Sequence, residues 1–284
     1  MKKIKINLFL LIFLIFILSP LRSSLRGDFA LNIIREISRE EYMGRQAGTL
    51  GNFKALDFVG KELKLLGLSE VIYQEFPVEV FEYKDIPKLI LKYEENEIKS
   101  YKYREDFRDR FSGNYEKEAY VSSNIQEIKN SFWITSYKGN ISRDIAVADI
   151  YGAEGIIVGL SRNMVDLLSQ RSLYFLKENI PVVYVAPWVY EEILSYLKSK
   201  RQIKMYYKIE YKKEIDKAYN LLFYIPSERN TKKTIVLTAH IDHVGRDYDG
   251  SYFPGANDNA SGVGVLMEIA KELLEGGNRY PFNF

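Results

Sequence analysis

Cysteine is absent from all 284 residues. That excludes disulfides and thiolate ligation, so any metal has to be held by His, Asp or Glu. Histidine is almost as scarce, with only His240 and His243 in the whole chain. An excess of either charge is also missing: 40 Lys and Arg face 38 Asp and Glu, a net charge of +2. This balance removes the electrostatic case for nucleic acid, which a strongly basic face would have made. A disordered composition is lacking too, since 46% of residues are hydrophobic and 27% charged, as in ordinary globular chains. Internal repeats are not found. The many tyrosines and phenylalanines are spread along the chain and read as core and sheet-face residues. The length suits one large domain or two modest ones.

One long apolar run stands at the N-terminus. Lys2, Lys3 and Lys5 precede an unbroken stretch from Leu8 to Leu18, followed by Ser19-Pro20. A basic head and a short apolar segment form the pattern of a secretory signal. The run falls short of the roughly 20 residues that span a bilayer, although counting from Ile4 to Leu21 lengthens it. No small-x-small cleavage site is apparent. Residues 1–25 are therefore expected to be a signal peptide or a membrane anchor. The chain is expected to be secreted, periplasmic or membrane-tethered, facing away from the cytoplasm.

Periodicity organises the remainder of the chain. Phe29, Ile33, Ile34 and Ile37 sit at helical spacing, and Phe53, Leu56, Val59, Leu63 and Leu66 line a second helix closed by Gly67. From about Phe76 the texture turns to strands, as in Phe76 to Phe81 and Leu89 to Tyr93. A helix over Ile145 to Tyr151, strands over Gly155 to Gly159 and Pro181 to Val185, and a helix over Val189 to Leu197 complete an α/β or β-rich module. Beyond Lys212-Lys213-Glu214, Asn220 to Ile225 and Thr234 to Thr238 read as apolar strands buried on both faces. A helix from Ser261 to Leu274 should then present Val265, Leu266, Ile269 and Leu273 on one side.

The chemistry gathers in two short segments. His240 lies where the strand Thr234 to Thr238 runs out, and ligands collect at such strand ends in open α/β sheets. Asp258 lies in the loop Gly255-Ala256-Asn257-Asp258-Asn259-Ala260-Ser261-Gly262, just before a helix. Alone, the first segment could be a surface loop and the second a helix N-cap using Asn259 or Ser261. Together, and in this order, they point to an imidazole and a carboxylate converging on Zn2+. Asp242 is placed to hold the His240 ring in the tautomer that leaves one nitrogen for metal. His243 is expected to pack or hydrogen-bond locally.

These segments resemble the first metal-binding half of the co-catalytic di-zinc aminopeptidases, the family of secreted bacterial leucyl aminopeptidases and aminopeptidase Y. The stretch Gly44 to Asn52, with the helix running to Leu68, is similar to that family's opening. Ala148 to Gly159 and Ile180 to Ala186 resemble a protease-associated domain. The resemblance implies an α/β fold: a mixed, helix-covered sheet of zinc exopeptidase type, incomplete, carrying an inserted β-rich or α/β protease-associated module. Residues 26–80 and 213–284 would belong to the peptidase domain and 81–212 to the insertion. It further implies that His240 binds one zinc, Asp258 bridges two, and Asp242 orients His240. Two zinc ions per complete site would release N-terminal residues from peptide substrates by two-metal hydrolysis.

The family also uses a Glu-Glu pair, with one member as general base, then a later Asp and a final His. None of these is found before Phe284, and Glu268, Glu272 and Glu275 read as solvated helix residues. The expectation is a C-terminally truncated, inactive N-terminal fragment. Alternatives on the same fold are a non-catalytic cell-surface binding protein, or a glutaminyl cyclase or carboxypeptidase relative.

Overall fold

A computed structural model describes residues 27–110, 113–171, 180–199 and 201–284. The expected signal or anchor lies outside them. Among the described residues no helix is long and apolar enough to cross a membrane. In chain order the elements are α1 (Asp28–Ile37), α2 (Leu50–Leu65), β1 (Ile72–Tyr83), β2 (Lys88–Tyr93), β3 (Asn96–Tyr101), β4 (Phe107–Asp109) and β5 (Tyr115–Ser122). Then come β6 (Ser131–Ser136), α3 (Ser142–Ile150), β7 (Gly155–Gly159), β8 (Val182–Val185), α4 (Pro187–Lys198), β9 (Ile203–Ile209), β10 (Tyr211–Leu222) and α5 (Ser261–Gly276). The fold is α/β. The described residues form two compact units, one within 27–80, 214–246 and 250–284, the other within 81–213 and 247–249. It leaves the first unit along β1 and returns along β10, and these two strands pair with each other.

In the first unit three helices share a core of Ile33, Ile37, Val59, Leu63, Met267 and Leu273, among others. The 3–4 spacing of Ala30, Ile33 and Ile37 turns one face of α1 inward. Gly264 lets α1 and α5 approach closely, because a Cβ there would stand 2.8 Å from the Ala30 carbonyl oxygen. Helix α2 stops as its sequence predicts. Gly67 takes φ +95° while its N–H bonds the Lys64 carbonyl and the Leu68 N–H bonds that of Leu63. Glycine tolerates that left-handed turn, and the two bonds satisfy carbonyls the helix end would otherwise orphan.

Four expectations need correction here. Asn220–Ile225 is not buried on both faces, since Leu222 at the end of β10 and Tyr224 beyond it are 45% and 53% exposed. Thr234–Thr238 is not a buried strand: Val236 is 79% exposed, and the segment's ladder pairing is a single bridge from Thr234 to Asn283. A doubly buried strand needs paired neighbours and cover on both faces, and the described residues supply one bridge. An apolar hollow of ≈ 640 Å³, lined in part by Leu56, Phe223, Ile235, Leu237 and Met267, opens beside it. Helix α5 is rotated from its expected face. It buries Val263, Gly264, Met267, Ala270 and Leu273, and leaves Val265 and Ile269 exposed. The helix is apolar on both sides, and packing on α1 selects the side with small residues. Finally, Glu268 is not simply solvated, since its Oε2 accepts the Ala30 N–H at 2.9 Å and caps the first turn of α1.

In the second unit eight strands run in the order β3-β2-β9-β5-β6-β7-β8-β4. Strands β5 to β8 are parallel, with Val121 opposite Phe132, Trp133 opposite Ile156 and Ile157 opposite Val183. The remaining pairings are antiparallel. The central run Gly155 to Gly159 is buried throughout, as the interior of a parallel sheet requires. A Cβ at Gly159 would fall 2.3 Å from the Tyr190 ring of α4, so only glycine lets that helix lie on β7. By contrast, β9 alternates buried and half-buried residues and so covers one face.

Truncating a side chain at the centre of the first unit tests its packing. Leu63 is fully buried, so Leu63→Ala is expected to lower stability by about 2–5 kcal/mol, measured by urea unfolding.

Candidate metal centre

The site is built where two turns of the first unit meet. Beyond the Thr234 bridge residues 235–241 form no helix or strand, with Ala239 and Ile241 packed on the core and His240 exposed between them. The second turn, Ala256–Ala260, is one turn of π-helix in which Asp258 (φ −122°, ψ 95°) and Asn259 (φ −131°, ψ 41°) leave helical geometry. The Asp258–Asn259 peptide is cis. Such single π turns occur often at functional sites, because they redirect one side chain without ending the helix. Asn259 ties the two turns together. Its Oδ1 accepts the Gly262 N–H at 3.1 Å, capping α5, while its Nδ2 donates to the His240 carbonyl at 3.3 Å. The sequence left the cap open between Asn259 and Ser261; Ser261 instead donates its hydroxyl to the Asn257 carbonyl at 2.8 Å.

Asp258 Oδ1 stands 3.3 Å from His240 Nε2. On the far side of the ring, His240 Nδ1 is 3.2 Å from the Asp242 carbonyl oxygen and 3.5 Å from its carboxylate. A ring proton on Nδ1 would donate to Asp242. In that tautomer the unprotonated Nε2 would face a carboxylate oxygen, lone pair against lone pair, and a cation between them would relieve the repulsion. Zinc bonds of about 2.0–2.2 Å at a tetrahedral angle set two donors about 3.4 Å apart, close to the observed gap. The pair therefore fits Zn2+ in donor type and in spacing. Both side chains are exposed, at 56% for His240 and 71% for Asp258, so the position is open to solvent.

His243 takes a different place. Its ring lies over Gly255, where a Cβ would meet it at 2.6 Å, and its Nδ1 is 4.0 Å from Asp258 Oδ2. Burial pulls its pKa below the usual imidazole value, against the opposing pull of Asp258. Among the described residues no group of three or more His, Asp or Glu converges to hold a metal. The centre is a pair.

Sequence reasoning missed Arg45. It is 1% exposed, and its guanidinium bonds four backbone carbonyls: Ile241 from Nε (2.9 Å), Ile37 and Pro254 from Nη1, and Gly255 from Nη2 (2.9 Å). Its own carbonyl accepts the N–H of His243 and the Asn52 amide. The Gly44-Arg45 dipeptide was visible in the sequence, but the partners, up to 210 residues away, were not.

Residues 220–282 match the model of Peptidase family M28. Among solved structures, the chain is similar to an aminopeptidase from Aneurinibacillus sp. strain AM-1 (17% identity, TM-score 0.63), covering 88% of this chain and 59% of that one. It also resembles a peptidase M28 precursor from Shewanella amazonensis SB2B, at 16% identity and TM-score 0.60, over 90% of this chain and 62% of the other. The zinc aminopeptidase BSAP of Bacillus subtilis aligns at 20% identity and TM-score 0.55, over 87% and 58%. The chain thus spans about six tenths of the length of the structures it matches. At these identities the likeness is one of fold. No curated protein matches the chain.

The M28 match includes both turns of the site. Because Asn259 caps α5 and holds the His240 carbonyl, Asn259→Ala is expected to cost about 0.5–2 kcal/mol. Thermal unfolding against wild type measures the loss.

Proposed function

We propose that this chain carries the first half of a zinc aminopeptidase centre, with His240 and Asp258 as metal ligands and Asp242 as the carboxylate that fixes the His240 tautomer. The carrying observation is the 3.3 Å gap between His240 Nε2 and Asp258 Oδ1, with Asp242 at the opposite ring nitrogen. The M28 match over both turns and the fold shared with zinc aminopeptidases support the same reading. In the complete centre Asp258 would bridge two zinc ions. Bound zinc would supply a Lewis acid for the scissile carbonyl and an acidified water as nucleophile. Asp242 would raise the basicity of His240 and hold its ring in plane. The substrates would be peptides, trimmed from their free amino ends.

The second unit is read as a protease-associated module, and residues 1–25 as the signal or anchor that places the protein outside the cytoplasm. Two protein ligands are fewer than the three that catalytic zinc sites use. The chain by itself is therefore expected to bind zinc without turning over substrate.

Zinc titration of the full chain tests the ligands. His240→Ala or Asp258→Ala should abolish saturable binding, and Asp242→Asn should weaken it about 10- to 100-fold. Wild-type chain that takes up no zinc would overturn the metal reading. Robust hydrolysis of amino-acid p-nitroanilides by the zinc-loaded chain would overturn the half-centre.

A further inference from the structure

We propose that Arg45 is the positioning residue of this centre: its buried guanidinium clamps the His240–His243 turn to the Pro254–Asn259 turn and so sets the gap between His240 and Asp258. The inference rests on the metal reading of that pair and adds a residue from a different part of the chain. The donor pattern is its first support. Nε holds the carbonyl of Ile241, the residue between His240 and Asp242, while Nη1 and Nη2 hold the successive carbonyls of Pro254 and Gly255. One rigid planar group therefore spans both ligand-bearing turns, and its remaining bond, to the Ile37 carbonyl, anchors it to the end of α1. A guanidinium offers five N–H donors in a fixed fork, whereas an ammonium has three on a flexible stem.

The surrounding backbone is shaped to admit this group. Met43, Gly44 and Arg45 all take positive φ, at 50°, 68° and 52°. A Cβ at Gly44 would strike the Gly245 carbonyl oxygen at 2.2 Å, where the Gly44 carbonyl itself accepts the Gly245 N–H at 3.0 Å. A Cβ at Gly255 would lie 2.6 Å from Arg45 Nη2. Two non-glycine residues held in the left-handed region are costly unless surrounding contacts over-determine them. Here the contacts are those that bring the two turns together.

The chemistry of the partners is the second support. A buried cation is costly unless its donors are satisfied, and these go to carbonyls. Asp242 and Asp258 keep their oxygens uncommitted to the guanidinium; burial draws the Arg45 pKa down, and the two carboxylates oppose that pull. Arg45 thus ties the two turns through their backbone without occupying the carboxylate atoms a metal needs.

The test compares the full wild-type chain with Arg45→Lys and Arg45→Met. Amide hydrogen exchange is followed in peptides covering 238–246 and 254–262, with α2 as internal reference, and Co2+ is titrated as a spectroscopic probe. Exchange in both turns should rise about ten-fold or more in Arg45→Lys while α2 keeps its wild-type rate, and Co2+ affinity should fall about ten-fold or more with a changed visible band. Wild-type exchange in the turns, or an unaltered Co2+ spectrum and affinity, would overturn the proposal. So would unfolding of both variants in which α2 exchanges as fast as the turns, since Arg45 would then be a general stability residue. If the wild type takes no Co2+, the metal reading fails, and the exchange comparison alone decides whether Arg45 clamps the turns.

Discussion

The first unit depends on one buried guanidinium. Arg45 is almost wholly removed from water, and its hydrogen bonds run to the end of α1, the turn bearing His240 and the turn bearing Asp258. One of those carbonyls ends α1 and the others lie in two irregular turns. Backbone polar groups in such loops need partners, and one planar cation provides them for three separate segments. The cost is a desolvated charge, moderated by Asp242 and Asp258 nearby. Core packing of α1, α2 and α5 builds the platform, and the loops above it are held in place by this polar knot.

Two features of the first unit pull in opposite directions. The proposed ligand pair is held from two sides, by Asp242 behind His240 and by Asn259, which binds the His240 carbonyl while capping α5. Beside it, the segment 234–238 pairs through a single bridge and leaves Val236 and Leu237 exposed over an apolar hollow. The turns rest on hydrogen bonds made between them by Asn259 and across both by Arg45. The exposed part consists of side chains whose sequence pattern belongs to a covered strand.

Much of the fold was legible from local pattern. The 3–4 spacing of Ile33 and Ile37, the Gly67 stop of α2 and the Gly-bounded run Gly155 to Gly159 all act within a few residues, and the chain folds there as they dictate. His240, Asp242 and Asp258 came forward because their spacing and flanking glycines form a motif, and they lie together at one corner. What escaped the sequence depends on distant partners. The inward face of α5 was decided by α1, more than two hundred residues earlier, and Glu268 found its role at the N-terminus of that same helix. Arg45 was not singled out within the Gly44 to Asn52 stretch, because its backbone-carbonyl partners leave no mark on a sequence.

The separation of these partners has a consequence for how the protein is made. Arg45 meets the Ile241 carbonyl across 196 positions, and Ala30 meets Glu268 across 238. At synthesis rates of about 5–20 residues per second, α1 and α2 leave the ribosome about 10–40 s before their partners exist. Over that interval Ile33, Ile37 and Leu63 have only near neighbours such as Tyr42, Val59 and Leu68 to pack against, without Met267 and Leu273 of α5. The long-range contacts of α1 and α2 with the 240–276 region are thus among those that only a nearly complete chain can make.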